Sequence, residues 1–226
     1  METDIEQFRR KLLAFQFAKK AFAELDNLHA SGTHRRNEHG VRNLIEEVLP
    51  IAYFVKHLEG PERHIKVRYY GGNEKFDGKL WMQGAVVKEG YGQPEYYLEV
   101  TSAISSTEYL QREALERYGY VFVGPDVQRI GSKRKGGDQI ISKPRVADRQ
   151  AHLQEVREWV LREVDKKSNI NYPPPCILIV RVEPDSIFST FDWYGVAKEV
   201  SEALPSNAFA GVWMLNTSSG IVLQCK

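Results

Sequence analysis

The chain has 226 residues, 31 Lys and Arg against 30 Asp and Glu, a formal net charge of +1, and is 42% hydrophobic and 27% charged. That composition belongs to a folded chain able to bury a sizeable core and excludes a disordered or fibrous one. The charge balance excludes a bulk polycation that coats nucleic acid or membrane by charge alone, and Cys176 and Cys225 are too few for a disulfide framework or a thiolate zinc site.

Taken in chain order, Thr3 and Glu6 have capping-box spacing, and Phe8, Leu12, Phe15, Ala18 and Phe22 recur at helical intervals. They predict a helix to about Leu28. A second helix is predicted over 37–57, with Val41, Leu44, Ile45, Val48, Ala52 and Val55 on one stripe and Pro50 bending it. From Ile65 the period changes to two. Strands are predicted over 65–70, 76–82 and 96–101, as an antiparallel meander. Residues 105–118 read as a helix, 120–123 as a strand and 129–149 as a loop. An amphipathic helix follows over 147–166, with Leu153, Val156, Val160, Leu161 and Val164 as its stripe. The nearly continuous apolar run 176–182 predicts a central strand covered on both faces. A short helix over 193–204 and a hairpin of 210–215 with 221–224 complete an α+β or mixed α/β order. One domain is expected, with 102–146 as an elaboration.

No run of about 20 apolar residues predicts a membrane span, and no apolar N-terminal stretch reads as a signal peptide. With so few cysteines the expected location is cytoplasmic, and the Asn216-Thr217-Ser218 sequon reads as chance.

The chemistry concentrates in Phe76-Asp77-Gly78 and Leu98-Glu99-Val100-Thr101. In a strand Tyr97, Glu99 and Thr101 share one face, and a Glu in the middle of an apolar and aromatic strand is costly without a partner. A meander puts the strands of Asp77 and Glu99 side by side. Two converging carboxylates plus a backbone carbonyl make an oxygen-rich set that suits Mg²⁺ or Mn²⁺, ions that activate water and neutralise charge on a phosphate. Taken singly, Asp77 also reads as a turn cap before Gly78, and Glu99 as the partner of Lys79 or Arg68.

At these residues the chain resembles the restriction-endonuclease-like superfamily, known by its PD-(D/E)xK signature. The order helix, three-strand meander, helix, strand is similar to that family's αβββαβ core. Asp77 matches the first acid and Glu99 the second. The family's further helix acid would be Glu46 or Glu47, with Glu46 preferred. The resemblance implies a metal-dependent nuclease cutting DNA or RNA, with Asp77, Glu99 and the Val100 carbonyl as metal ligands. Phe76 stands in place of the proline. Thr101 stands in place of the lysine and would place the attacking water. Lys79, or else Lys88, would stand in for the missing charge. The alternative is a non-catalytic nucleic-acid- or protein-binding module on the same fold. Cutting both strands of a duplex would need a homodimer.

The 129–149 stretch is locally basic. Lys133, Arg134, Lys135, Lys143 and Arg145 are its candidate phosphate contacts, although a solvated surface loop explains the same composition. His34, Arg35, Arg36, His39 and Arg42 form a second basic cluster, readable as a polar helix start. The aromatic pairs Tyr69-Tyr70 and Tyr96-Tyr97, with Trp81, read as sheet core rather than as a stacking platform. No GxSxG elbow, Walker motif or dinucleotide motif is present.

Overall fold

The structure, a computed structural model, describes residues 4–30, 39–72, 74–105, 107–119, 127–132, 137–143, 148–182 and 189–226. Where the sequence predicts one N-terminal helix, the chain makes two short elements and then a helix. Asp4 Oδ1 accepts from the Gln7 amide and starts a 3₁₀ turn over Ile5–Arg9; strand β1 (Leu12–Leu13) and helix α1 (Ala14–Ala30) follow. Phe8 packs edge-on to Phe17 at 5.1 Å, which folds the turn back onto the helix.

The second predicted helix is also divided, into α2 (His39–Asn43), a π-helical turn over Leu44–Val48, and α3 (Leu49–Leu58). Pro50 lies in the first turn of α3, where its missing N–H is least costly. The Ile45 carbonyl within the π turn accepts from Arg181 Nη1 at 3.3 Å.

The meander forms as the period-two pattern predicts. It comprises β2 (Arg63–Tyr69), β3 (Gly78–Gly84) and β4 (Glu95–Ala103), all antiparallel, with the short helix α4 (Ala85–Lys88) between the last two. β2 buries Ile65, Val67 and Tyr69 and exposes His64, Lys66 and Arg68. Helix α5 (Glu108–Tyr118) follows. The region read as a loop holds a hairpin, β5 (Val127–Ile130) with β6 (Gln139–Ser142). Ala114, Val127 and Ile140 make a small cluster of their own there. Residues 120–123, predicted as a strand, lie outside the described residues.

Helix α6 (Arg149–Ser168) crosses over to β7 (Cys176–Val182), then come α7 (Thr190–Ala203), β8 (Gly211–Asn216) and β9 (Ile221–Gln224). The main sheet has the order β1-β2-β3-β4-β7-β8-β9. The C-terminal hairpin extends it rather than standing apart, because β8 runs parallel to β7 as β7 does to β4. All seven residues of β7 are buried. Ile177 and Ile179 join one core with α1 and α3, whereas Leu178, Val180 and Val182 join another with α6 and α7. The protein is a mixed α/β fold with helices on both faces of a seven-stranded mixed sheet. No helix among the described residues is long and apolar enough to cross a membrane.

Candidate active site

The site lies where β3 runs out beside β4. Tyr97 N donates to Pro175 O at 2.9 Å, so odd-numbered residues of β4 turn their backbone groups to β7. Even-numbered ones turn theirs to β3: Leu98 O accepts from Asp77 N at 2.9 Å, and the register ends at Gly78 opposite Leu98. The Val100 amide and carbonyl therefore face the space beyond the end of β3. Asp77 Oδ2 fills part of that space by accepting from Val100 N at 2.7 Å. Gly78 makes this corner tight. A Cβ there would stand 3.1 Å from Ile51 Cδ1 and 3.3 Å from the Arg68 carbonyl, so α3 and β2 close on a residue without a side chain.

Glu99 and Thr101 face α6. Lys167 Nζ donates to Glu99 Oε1 at 2.5 Å, and Thr101 Oγ1 donates to Glu163 Oε2 at 3.1 Å. The match is geometric. Two residues of strand advance about 6.6 Å and four residues of helix about 6 Å, so the pair 163 and 167 spans the pair 101 and 99 with α6 running against β4. Tyr172, just past α6, also hydrogen-bonds Glu99.

The π turn separates the two helix acids. Glu46 pairs with Arg42 at 2.8 Å, on the helix's own flank. Glu47 is the one turned to the sheet: its Oε2 accepts from the hydroxyl of the fully buried Tyr69 at 2.5 Å, and its charge is felt at both Asp77 and Glu99. The preference for Glu46 is thus not met by the placement of the side chains.

Three carboxylates gathered against one ammonium shape the electrostatics. Burial, then the charges of Glu99 and Glu47, push the Asp77 carboxyl up to about 8, against the pull of the Val100 amide and Lys167. Burial also raises Glu99, with Lys167 opposing. Tyr69 and Tyr172 are raised as well, by burial first and then by the carboxylates they bond, so both remain donors. Among the described residues no group of three or more His, Cys, Asp or Glu side chains converges as a ready-made ligand set. Glu47 leans to Tyr69 and Glu99 to Lys167.

The other sequence candidates are placed elsewhere. Lys79 reaches along the sheet to Glu95 at 2.6 Å, away from Asp77, and Lys88 is exposed on α4. Thr101 has its hydroxyl proton committed to Glu163. Lys143 is exposed just after β6; Lys133, Arg134, Lys135 and Arg145 lie outside the described residues, as do His34, Arg35 and Arg36. Two further cations of the basic stretch are in ion pairs, Arg129 with Glu113 and Asp138, and Arg149 with Asp192. Sequence reasoning misses Lys167 and Tyr172. The signal for Lys167 is its i+4 spacing from Glu163, at the end of a predicted amphipathic helix.

No protein-family profile, no curated protein sequence and no solved structure matches the chain.

Proposed function

We propose that the protein is a metal-dependent phosphodiesterase acting on nucleic acid, with Asp77, Glu99, Glu47 and Lys167 as its working groups. The observation that carries this reading is the corner itself. An aspartate and a backbone carbonyl share the gap at the end of β3, a glutamate stands on the adjoining strand, and a lysine reaches in from the crossover helix. The order α3-β2-β3-β4-α6-β7 is similar to the αβββαβ core of restriction-endonuclease-like proteins and supports the same reading. In it Lys167 takes the place of the lysine that the strand lacks, and Glu47 that of the helix acid.

The donor set fits a hard divalent cation. Asp77, Glu99 and the Val100 carbonyl offer oxygen, the chemistry Mg²⁺ and Mn²⁺ prefer. Burial and then the charges of Glu99 and Glu47 keep Asp77 protonated, and such an ion would offset those charges. When bound, the ion would lower the pKa of water and offset charge on the scissile phosphate. The chain's own residues do the rest. Asp77 releases its proton and holds its orientation through the Val100 amide. Lys167, freed from Glu99, donates to the phosphate oxygens as charge develops on them. Glu47, anchored by Tyr69, accepts a proton from the water that attacks phosphorus as the ester P–O bond breaks, and the leaving oxygen takes a proton from solvent water. Glu163 holds Thr101 and the last turns of α6 in register, which aims Lys167.

The Lys167–Glu99 pair also favours a second reading, in which the ion pair is permanent and the fold serves only to bind. One experiment separates the two. Wild type, Asp77→Asn, Glu99→Gln and Lys167→Met are incubated with single- and double-stranded DNA and RNA in Mn²⁺, Mg²⁺ or EDTA. Cleavage that requires Mn²⁺ or Mg²⁺ and is lost in all three variants supports the enzyme. Absence of cleavage in every condition, with no Mn²⁺ binding by calorimetry, leaves the binding module.

A further inference from the structure

The helices of the second core cover only part of the sheet. Leu178, Val180, Val182 and Val212 pack under α6 and α7, while β2 and β3 contribute no residue to that cluster among those described. The same face of β2 and β3, continued by Tyr97 of β4 at the edge of that cluster, is patterned instead with cations and rings. Lys66 and Arg68 on β2 are exposed, and Lys79 and Trp81 lie opposite them on β3. Tyr70, Phe76 and Tyr97 form a line of edge-to-face rings, 5.1 Å and 4.8 Å between successive centroids. Cations lie over these rings: Arg68 over Tyr70 at 4.6 Å, Lys11 over Trp81 at 3.8 Å and Lys79 over Tyr97 at 5.0 Å. Glu95, opposite Trp81 in the register, is bound to Lys79.

This face leads to the site. Tyr97 precedes Glu99 by two residues on the same side of β4, and Lys79 follows Asp77 by two on β3. A polyanion whose bases are unstacked satisfies both halves of the pattern, because phosphates meet the lysines and arginine while bases meet the rings. A duplex satisfies only the first half, since its base faces are occupied by one another. A protein partner of acidic character would leave the rings without a specific role.

We propose, resting on the nuclease reading above, that the open face of β2, β3 and β4 binds single-stranded nucleic acid and delivers its backbone to the corner of Asp77 and Glu99. The rings stack bases in place of the cations now lying on them, and Lys66 and Arg68 hold phosphates.

The test uses fluorescein-labelled 16-nucleotide single strands of DNA and RNA, and the matching duplexes, with binding read by anisotropy in EDTA. The Asp77→Asn protein is used so that nothing is cut. The single strands are expected to bind at least tenfold tighter than the duplexes. Lys66→Glu/Arg68→Glu weakens that binding at least tenfold, and Lys66→Gln/Arg68→Gln reduces the salt slope by roughly 1.4, two phosphate contacts for a single strand. Ultraviolet crosslinks are expected on peptides containing Phe76, Trp81 or Tyr97. Duplex binding equal to or tighter than single-strand binding overturns the proposal. So does an unchanged Kd in both double variants, or crosslinking confined to other peptides. Because these readings need neither metal nor turnover, the face can hold while the nuclease reading fails. Conversely, metal-dependent cutting that is indifferent to Lys66 and Arg68 defeats only the face.

Discussion

Replacing Asp77 by Asn should stabilise the protein progressively above about pH 4, and most at pH 8 and higher. The carboxyl sits at about 8 in the fold against an ordinary 3.8. The folded state therefore holds the proton more tightly than the unfolded chain. Below pH 4 both states are protonated and the group is neutral to stability. As pH rises from 4 the unfolded chain ionises first, stability falls, and the fall ends near pH 8. At 1.36 kcal/mol per pKa unit the full penalty approaches roughly 5 to 6 kcal/mol. Water entry and turning of nearby donors towards the ionised group reduce it to roughly 2–4 kcal/mol. Asparagine can still accept from the Val100 amide but cannot ionise. In a chain of this size 1 kcal/mol moves Tm by about 2–4 °C. Thermal unfolding in EDTA, followed by circular dichroism, should show the two proteins close together at pH 4. At pH 8.5 the Asn variant should melt roughly 4–16 °C higher. Millimolar Mn²⁺ should raise wild type and narrow the gap, because the ion binds the ionised native state. A difference in Tm that is the same at both pH values would refute the reasoning.

Lys167→Met is expected to lower kcat about 100-fold or more, the scale of losing one preorganised donor, while Mn²⁺ affinity measured by calorimetry stays level or improves because Glu99 loses its competing cation. Glu47→Gln should weaken Mn²⁺ binding and cleavage about tenfold or more, whereas Glu46→Gln, on the helix flank beside Arg42, should leave both within twofold; equal effects would contradict the division made by the π turn. Cleavage at subsaturating Mn²⁺ should rise with pH and level off near 8 as Asp77 ionises, and the rise should shift to lower pH as Mn²⁺ is increased. Leu178→Ala, which empties a fully buried position under α6 and α7, should cost about 2–5 kcal/mol in urea unfolding.

The parts of the fold legible in the sequence are those whose pattern is set by burial. The meander shows in the alternation of Ile65, Val67 and Tyr69, and β7 in a run with no polar face until Arg181. What stays hidden is what depends on neighbours distant in sequence. The stripe from Val41 to Val55 fits an even helix, yet its middle is a π turn whose Ile45 carbonyl is met by Arg181, 136 residues away. That turn decides which of two adjacent glutamates faces the sheet, and no periodicity within the helix carries the information. The β5–β6 hairpin was masked by its cations, because Arg129 reads as a loop residue until Glu113 and Asp138 are seen beside it. Glu99 is legible because it interrupts an apolar strand, and Asp77 because it stands before Gly78 at the head of the neighbouring one. Lys167 is not, because a lysine near a helix C-terminus is ordinary and only the β4–α6 packing shows what it meets.

The same packing bears on whether the corner is a working site or a relic. A stabilising ion pair would balance its charges, one ammonium to one carboxylate, as Lys79 and Glu95 do nearby. Lys167 instead meets Glu99 in the presence of Asp77 and Glu47, and burial together with those charges keeps Asp77 protonated although the Val100 amide bonds it. That arrangement costs stability at neutral and higher pH, and a neutral residue at 77 would remove the cost without disturbing the Val100 bond. Under the proposed metal-dependent reading that cost has a use, because the surplus negative charge would favour uptake of a divalent cation while Lys167 offsets part of it.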